Sequence, residues 1–176
     1  MVRGKGTGFV NLPGLEEDVV IEREALGFAL DGDIVRIELK KKVAGKRQEG
    51  VVKEVVKAAY RELIGVIKEK KVNGQPVNFF LPDNGRIHIR PLVPTATGND
   101  LGMKVVVEIT SWTQPLLDPI AKITETLGHA GDHETEMQAI IRSGGFSKEF
   151  PESVQKAAQE LFATKEQIFA EAIADP

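Results

Sequence analysis

The sequence predicts a mainly β protein, two tandem five-stranded barrels followed by a short α-helical segment. Three observations lead there. A plan of aromatic strand, turn, short strand, glycine turn and alternating apolar strand occurs twice. The first copy runs from Gly8-Phe9-Val10-Asn11-Leu12-Pro13-Gly14 to Asp31-Gly32-Asp33-Ile34-Val35-Arg36-Ile37-Glu38-Leu39, the second from Asn78-Phe79-Phe80-Leu81-Pro82-Asp83-Asn84 to Leu101–Ile109. A repeat of about 70 residues is too long for a solenoid unit and suits a small closed barrel. Asn73-Gly74 lies between two β-branched runs and is the strongest short hairpin signal there is. Finally, the β character ends near residue 127, and helix signals take over.

In the first module, residues 1–57, the expected strands are Thr7–Leu12, ending at the Pro13-Gly14 turn, and the β-branched Asp18–Ile21. Arg23–Leu30 suits a short helix or 3-10 turn. Ile34–Lys41 alternates Val35, Ile37 and Leu39 against Arg36, Glu38 and Lys40, and Gln48–Val56 returns across a hairpin tipped by Gly45-Lys46. The chain starts just before the first motif, so the first strand of this barrel is expected to be truncated, leaving an open strand edge. In the second module, residues 58–126, Glu62–Lys70 and Pro76–Leu81 form the hairpin. Pro82-Asp83-Asn84-Gly85 then turns into a short strand at Arg86–Ile89, Lys104–Thr110 alternates, and Ile120–Leu127 closes the set.

Residues 127–176 are expected to be helical. Asp132 or His133 caps a helix to about Arg142, with acids in its first turn and Gly144-Gly145 at its end. Pro151 suits the first turn of a second helix, and Thr164-Lys165-Glu166-Gln167 fits a capping box for a third. The stop at Asp175-Pro176 leaves those helices short of packing partners.

The bulk numbers suit a soluble domain. Of 176 residues, 41% are hydrophobic and 28% charged, and there is no cysteine, which excludes disulfides and thiolate metal sites. No apolar run approaches the length of a membrane span and no signal peptide is visible, so a cytoplasmic location without membrane contact is expected. The net charge of −3 argues against a broadly basic nucleic-acid binder. Locally the balance reverses. Between Arg36 and Lys57 stand eight cations (Arg36, Lys40, Lys41, Lys42, Lys46, Arg47, Lys53, Lys57) against Glu38, Glu49 and Glu54. Such a patch can follow phosphates, and it reads equally well as a solvated hairpin loop.

Lys5-Gly6-Thr7-Gly8-Phe9-Val10 resembles the first nucleic-acid-binding motif of cold-shock domains, with Asp18–Ile21 where their second motif lies. Pro82-Asp83, Leu92-Val93-Pro94, Gly102 followed by Val105-Val106-Val107, and Ser111-Trp112 look like the second cold-shock domain of the ribonuclease R family. The stretch Ile123-Thr124-Glu125-Thr126-Leu127-Gly128-His129-Ala130-Gly131-Asp132-His133-Glu134-Thr135-Glu136, with Phe150-Pro151-Glu152 beyond it, is similar to that family's passage into the catalytic domain. The resemblance implies two OB-fold barrels that grip single-stranded RNA for a processive 3′→5′ exoribonuclease of the ribonuclease II superfamily. It implies Mg²⁺ held by a cluster of aspartates in a catalytic domain downstream in cis. No Asp-rich motif of that kind occurs here, so the chain reads as an RNA-binding fragment, inactive alone and needing no cofactor itself. The alternative is a free-standing tandem OB-fold RNA-binding or adaptor protein without enzymatic activity.

The expected RNA contacts are phosphates on Lys5, Lys41, Lys42, Lys46, Arg47 and Arg86, and bases on Phe9 and on one of Phe79 or Phe80. Adjacent strand residues face opposite ways, so the other phenylalanine of that pair belongs to the core. Departures from the family pattern are Thr7, Val20 and Glu22 in the motifs of the first barrel, and Arg90 and Met103 in the second. Trp112 is expected to be a core or interdomain plug. His129, Asp132, His133, Glu134 and Glu136 invite a metal reading, but Gly128 and Gly131 break the helical spacing it would require, and capping accounts for the acids.

Overall fold

The computed structural model describes residues 6–59 and 62–144, with Lys156 and Phe162. The chain divides into two compact units, Met1–Ala139 and Ile140–Pro176. Lys5, most of the open edge expected near residues 1–8, and the two helices expected after Pro151 lie outside the described residues, apart from residues 6–8, Lys156 and Phe162.

In the first module β1 (Gly8–Val10) pairs antiparallel with β2 (Val19–Ile21), and β3 (Ile34–Leu39) with β4 (Gly50–Lys57). A 3-10 turn at Arg23–Ala25 follows β2. One parallel bridge, Val20 to Glu49, joins the two ladders, and the Val20 amide donates to the Gln48 carbonyl at 2.8 Å. The core is small. Val19, Ile21 and Leu26 are buried, and Val10, Ile37 and Val52 pack against them. The alternation of β3 survives in half: Val35 and Ile37 are partly covered, while Leu39 is exposed.

The second module is larger. β5 (Glu62–Val72), β6 (Gln75–Pro82), β7 (Met103–Ser111) and β8 (Ile120–His129) form one antiparallel sheet in the order β6-β5-β7-β8. Its two edges meet through a single residue: Leu92 bridges Phe79 on β6 and Ile120 on β8. Four backbone bonds fix that junction: Phe80 N to Pro91 O, Leu92 N to Pro119 O and Ala121 N to Leu92 O, each 2.8 Å, and Val93 N to Asn78 O at 3.0 Å. Inside lie Leu63, Ile67, Phe80, Ile87, Ile89, Val93, Val105, Val107 and Ala121. The short strand expected at Arg86–Ile89 is absent, and its place is taken by the bridge at Leu92. Prolines at 91 and 94 flank that bridge and keep it from extending, because proline cannot donate to a ladder. The architecture is thus mainly β with curled, barrel-like sheets. The described ladders are two, two and four strands, not two sets of five.

The modules touch through the segment after the 3-10 turn. Phe28 meets Trp112 edge-on, with ring centroids 5.3 Å apart and planes at 82°, and Leu30 packs against the second core. The Trp112 indole N–H is shared between the Gln114 and Leu117 carbonyls. Trp112 is therefore the plug expected of it. Asp33 accepts from the Leu30 amide and from the Ala59 amide, both at 2.8 Å, tying the linker back to this segment.

Helix α1 (His133–Ser143) follows β8. Lys104 lies opposite Val66, on the face of β7 away from the core valines Val105 and Val107. Its ammonium is buried and donates to Asp83 and to Glu136 of α1, each at 2.8 Å. The second Glu136 oxygen accepts the Gly131 amide at 2.9 Å. Gly128 leaves the space that Thr135 fills. Burial pulls the Lys104 ammonium down, but the hydrogen bonds and charges of Asp83 and Glu136 outweigh it and hold it above the usual lysine range. Glu136 sits below the usual carboxylate range, first through Lys104 and then through the Gly131 N–H.

Packing makes one prediction and charge another. A Cβ at Gly65 would run into the Leu81 carbonyl and lie 2.7 Å from the Phe80 ring, so Gly65→Ala overpacks the barrel. It should lower unfolding free energy in urea by about 1–3 kcal/mol, while Gly85→Ala, with open space around it, should be near neutral; equal effects would contradict the packing. For Glu136, a depressed folded pKa gives a contribution complete above the ordinary value of 4.5 and lost as pH falls through the lowered folded value. Glu136→Gln should therefore unfold at lower urea than the parent at about pH 7. The gap should close in acid; a gap that persists at about pH 3 would rule out the ion pair as its source.

Candidate nucleic-acid interface

The sequence places the basic run between β3 and β4, and the structure makes it a protruding loop. Lys40 and Glu49 close its base by an amide-to-carbonyl bond of 2.9 Å and an ion pair of 3.2 Å. Gly45, at φ 76, supplies the left-handed turn of the tip, where the Lys46 amide donates to the Val43 carbonyl at 3.1 Å. Lys41, Lys42, Lys46 and Arg47 are all exposed.

The acids nearby do not neutralise that loop. Glu54 pairs with Arg36 at 2.7 Å, Glu38 with Lys53 at 2.6 Å, and Glu49 with Lys40. Each of the three acids is thus engaged by a cation of the ladder or of the loop's base. Among the described residues, Lys41, Lys42, Lys46 and Arg47 have no ion-pair partner, so the local excess of charge is concentrated at the tip. The Lys53 contact holds Glu38 below the usual carboxylate range, which keeps it ionised and paired.

The two aromatic candidates are set by strand parity. Phe9 lies opposite Val20, while its neighbours Gly8 and Val10 lie opposite the buried Ile21 and Val19. Phe9 therefore points away from the first core and is half-buried. In the second module Phe80 pairs with Ile67, and both are completely buried. Phe80 is a core residue and offers no stacking surface, so of that pair only Phe79 can meet a base. Phe79 lies on the other face, opposite Lys68, half-buried, with the Lys70 ammonium 5.4 Å from its ring centroid.

Sequence reasoning missed Lys68 and Lys70. The signal was present: a two-residue turn at Asn73-Gly74 makes Val72 and Gln75 partners, and counting back puts Lys68 against Phe79. Lys68, Lys70, Val77, Phe79 and Leu81 share the outer face of the β5–β6 hairpin. Arg86 is exposed as expected, but it stands 3.8 Å from the buried Asp31 carboxylate at the contact between modules, so it is partly engaged by the protein itself. The loop cations and Phe9 sit on the first module, Phe79 with its lysines on the second.

Other titratable groups among the described residues are held in structural contacts or stand apart. His88 has a buried Nδ1 with no partner, and burial, then the charge of Arg23, lower its pKa against the opposing pull of Asp118. His129 ends β8, and Glu136 is occupied by Lys104 and Gly131. Among the described residues there is no group of three or more His, Cys, Asp or Glu side chains placed to hold a metal ion.

Two domain models match in tandem: a Ribonuclease B OB domain over residues 2–55 and a Cold shock domain over residues 79–151. The chain is 28% identical over 165 residues to ribonuclease R 1 of Lactococcus lactis, covering 88% of this chain and 20% of that protein. It is 28% identical over 170 residues to ribonuclease R of Chlamydia pneumoniae, covering 92% of this chain and 25% of that one. The fold is shared with Mycoplasma genitalium RNase R in complex with ribose-methylated single-stranded RNA, at TM-score 0.74 and 20% identity, covering 91% of this chain and 26% of that one. It is also shared with yeast Ssd1, described as a pseudonuclease, at TM-score 0.64 and 18% identity, covering 82% and 24%. The chain spans about a fifth to a quarter of the length of these ribonuclease R relatives. An OB domain followed by a cold-shock domain, with relatives of one name over most of its length, shows that the chain resembles an N-terminal fragment of ribonuclease R.

Proposed function

We propose that this chain is the single-stranded RNA-binding portion of a processive 3′→5′ exoribonuclease of the ribonuclease R kind. Residues 1–57 and 58–126 act as two five-stranded OB modules in this reading, and residues 127–176 begin the catalytic domain. The observation that carries it is the β3–β4 loop, whose exposed cations stand without acidic partners among the described residues on a protein of net charge −3. Fully solvated lysines of this kind exchange condensed counterions for phosphate. Phe9 and Phe79 add ring faces, on which any base can stack. Catalysis and its Mg²⁺ belong to the rest of the parent protein, in cis. Among the described residues no helix is long and apolar enough to cross a membrane, and a cytoplasmic location goes with the reading.

A free-standing RNA-binding or adaptor protein is the second reading. It needs no enzymatic activity, and the fold shared with part of yeast Ssd1, a pseudonuclease, is compatible with a non-catalytic role. The architecture alone does not distinguish the two, so the parent gene and its downstream carboxylates decide.

The test is fluorescence titration of a labelled single-stranded oligoribonucleotide, with and without Mg²⁺. The chain should bind it in preference to duplex, lose affinity as salt rises, and leave it intact. Lys41→Glu with Lys42→Glu should weaken all sequences alike and reduce the salt slope by about 0.7 for each phosphate no longer engaged. Phe9→Ala should cost about 1–3 kcal/mol with the slope unchanged. Parental affinity in both variants, or a preference for duplex, would make the modules spacers. Metal-dependent release of nucleotides from clean protein would overturn the assignment of chemistry elsewhere.

A further inference from the structure

The ring of Phe79 is not bare. The Lys70 ammonium lies 5.4 Å from its centroid, within cation–π range. Lys70 is the diagonal neighbour of Phe79 across the β5–β6 ladder, one pleat beyond the directly opposed Lys68. Both lysines are exposed, and neither has an acidic partner among the described residues. The opposite side of the strand is filled by Phe80 in the core, so the outer face is where Phe79 can meet a ligand. A base stacking there and the Lys70 ammonium would occupy the same region.

We propose that Lys70 is an exchangeable cover of the Phe79 ring, leaving it for a backbone phosphate when a base of single-stranded RNA stacks on Phe79. The proposal rests on the reading of this chain as a single-strand binder and adds a device to it. The exchange is favourable in both halves. An exposed cation–π contact is weaker than base stacking on an aromatic ring. The displaced ammonium stays tethered beside the bound strand, where phosphate is the nearest anion. The ring is thereby shielded from apolar ligands in the free protein, and a base with a charged backbone is favoured over a neutral aromatic molecule.

The test is Lys70→Gln, an exposed substitution that removes the charge and keeps the first two methylenes, titrated with two probes of one sequence. One is an ordinary oligoribonucleotide; the other is a methylphosphonate oligomer, whose backbone is uncharged. The variant should bind the ordinary strand more weakly at low salt, with a slope reduced by about 0.7. It should bind the neutral oligomer more tightly, by about two- to five-fold, the release of an exposed cation–π contact. Opposite signs on the two probes identify a cover that becomes a phosphate contact. Weaker binding of the charged strand with no change on the neutral one would make Lys70 a plain phosphate contact and overturn the proposal. Weaker binding of both would make it structural and overturn it as well. If the parent binds neither probe, the single-strand reading itself fails, a result distinct from either.

Discussion

Asn73 at φ 50 and Gly74 at φ 82 put two successive residues in the left-handed region, and only a two-residue hairpin reversal of matching twist uses that geometry. The reversal makes Val72 and Gln75 partners, and every pair down to Gly65 and Pro82 follows without slippage. Because a shift of one residue would exchange the two faces of the strand, the turn decides that Phe80 enters the core and Phe79 stays outside. Gly65 completes the constraint, since the Leu81 backbone and the Phe80 ring occupy the space a side chain would take. The same register carries Lys68 and Lys70 to the outer face beside Phe79. Core and outer face are thus two readings of one pairing, and the surface cannot be rearranged without emptying the interior.

The first module has no equivalent anchor. Among the described residues its core cluster is built on Val19, Ile21 and Leu26, and its two ladders are joined by one bridge. It leans on its neighbour instead. Phe28 and Leu30 leave the 3-10 turn and pack on Trp112 and the second core, and Asp33 bonds the linker at Ala59. Buried apolar area supplies most of the stability of a small domain, so a module this thin depends on such borrowed contact. A fixed contact between modules also fixes the spacing between Phe9 and Phe79, which sit on different sheets of the same compact unit.

Much of this was legible in the sequence. β5 to β8 and α1 were readable to within a few residues, because their patterns are long and bounded by Asn-Gly, Gly and Pro signals. The bridge at Leu92 was not, since one paired residue between prolines has no period to read, and the β-branched run before it drew the strand to Arg86–Ile89. Which phenylalanine faces outward was recoverable from the turn register, though alternation alone left it open. The partners of Glu136 were beyond reach. Lys104 stands 32 residues away, and no local pattern links it to Glu136, whose acid neighbours capping alone explained.

Charge distribution ties the scaffold to the proposed RNA surface. An acidic protein attracts RNA only where its cations are not already answered by carboxylates, and the β3–β4 ladder separates the two groups by geometry. Cross-strand and diagonal neighbours on the ladder are close enough to pair, so Glu38, Glu49 and Glu54 meet Lys53, Lys40 and Arg36. Residues of the tip have no strand opposite them, and their charge faces solvent. On the second module the outer lysines have an aromatic ring in place of an acid. Both arrangements leave cations poised at modest energy, weakly held at exposed positions, which is the condition under which a phosphate can take them over. A lysine such as Lys104, whose ammonium is buried and held by both Asp83 and Glu136, could not do this, because leaving them would break two charge-assisted hydrogen bonds at once. Strongly bound lysine therefore builds the scaffold that holds Glu136 of α1, and loosely bound lysine is what remains for the proposed RNA contact.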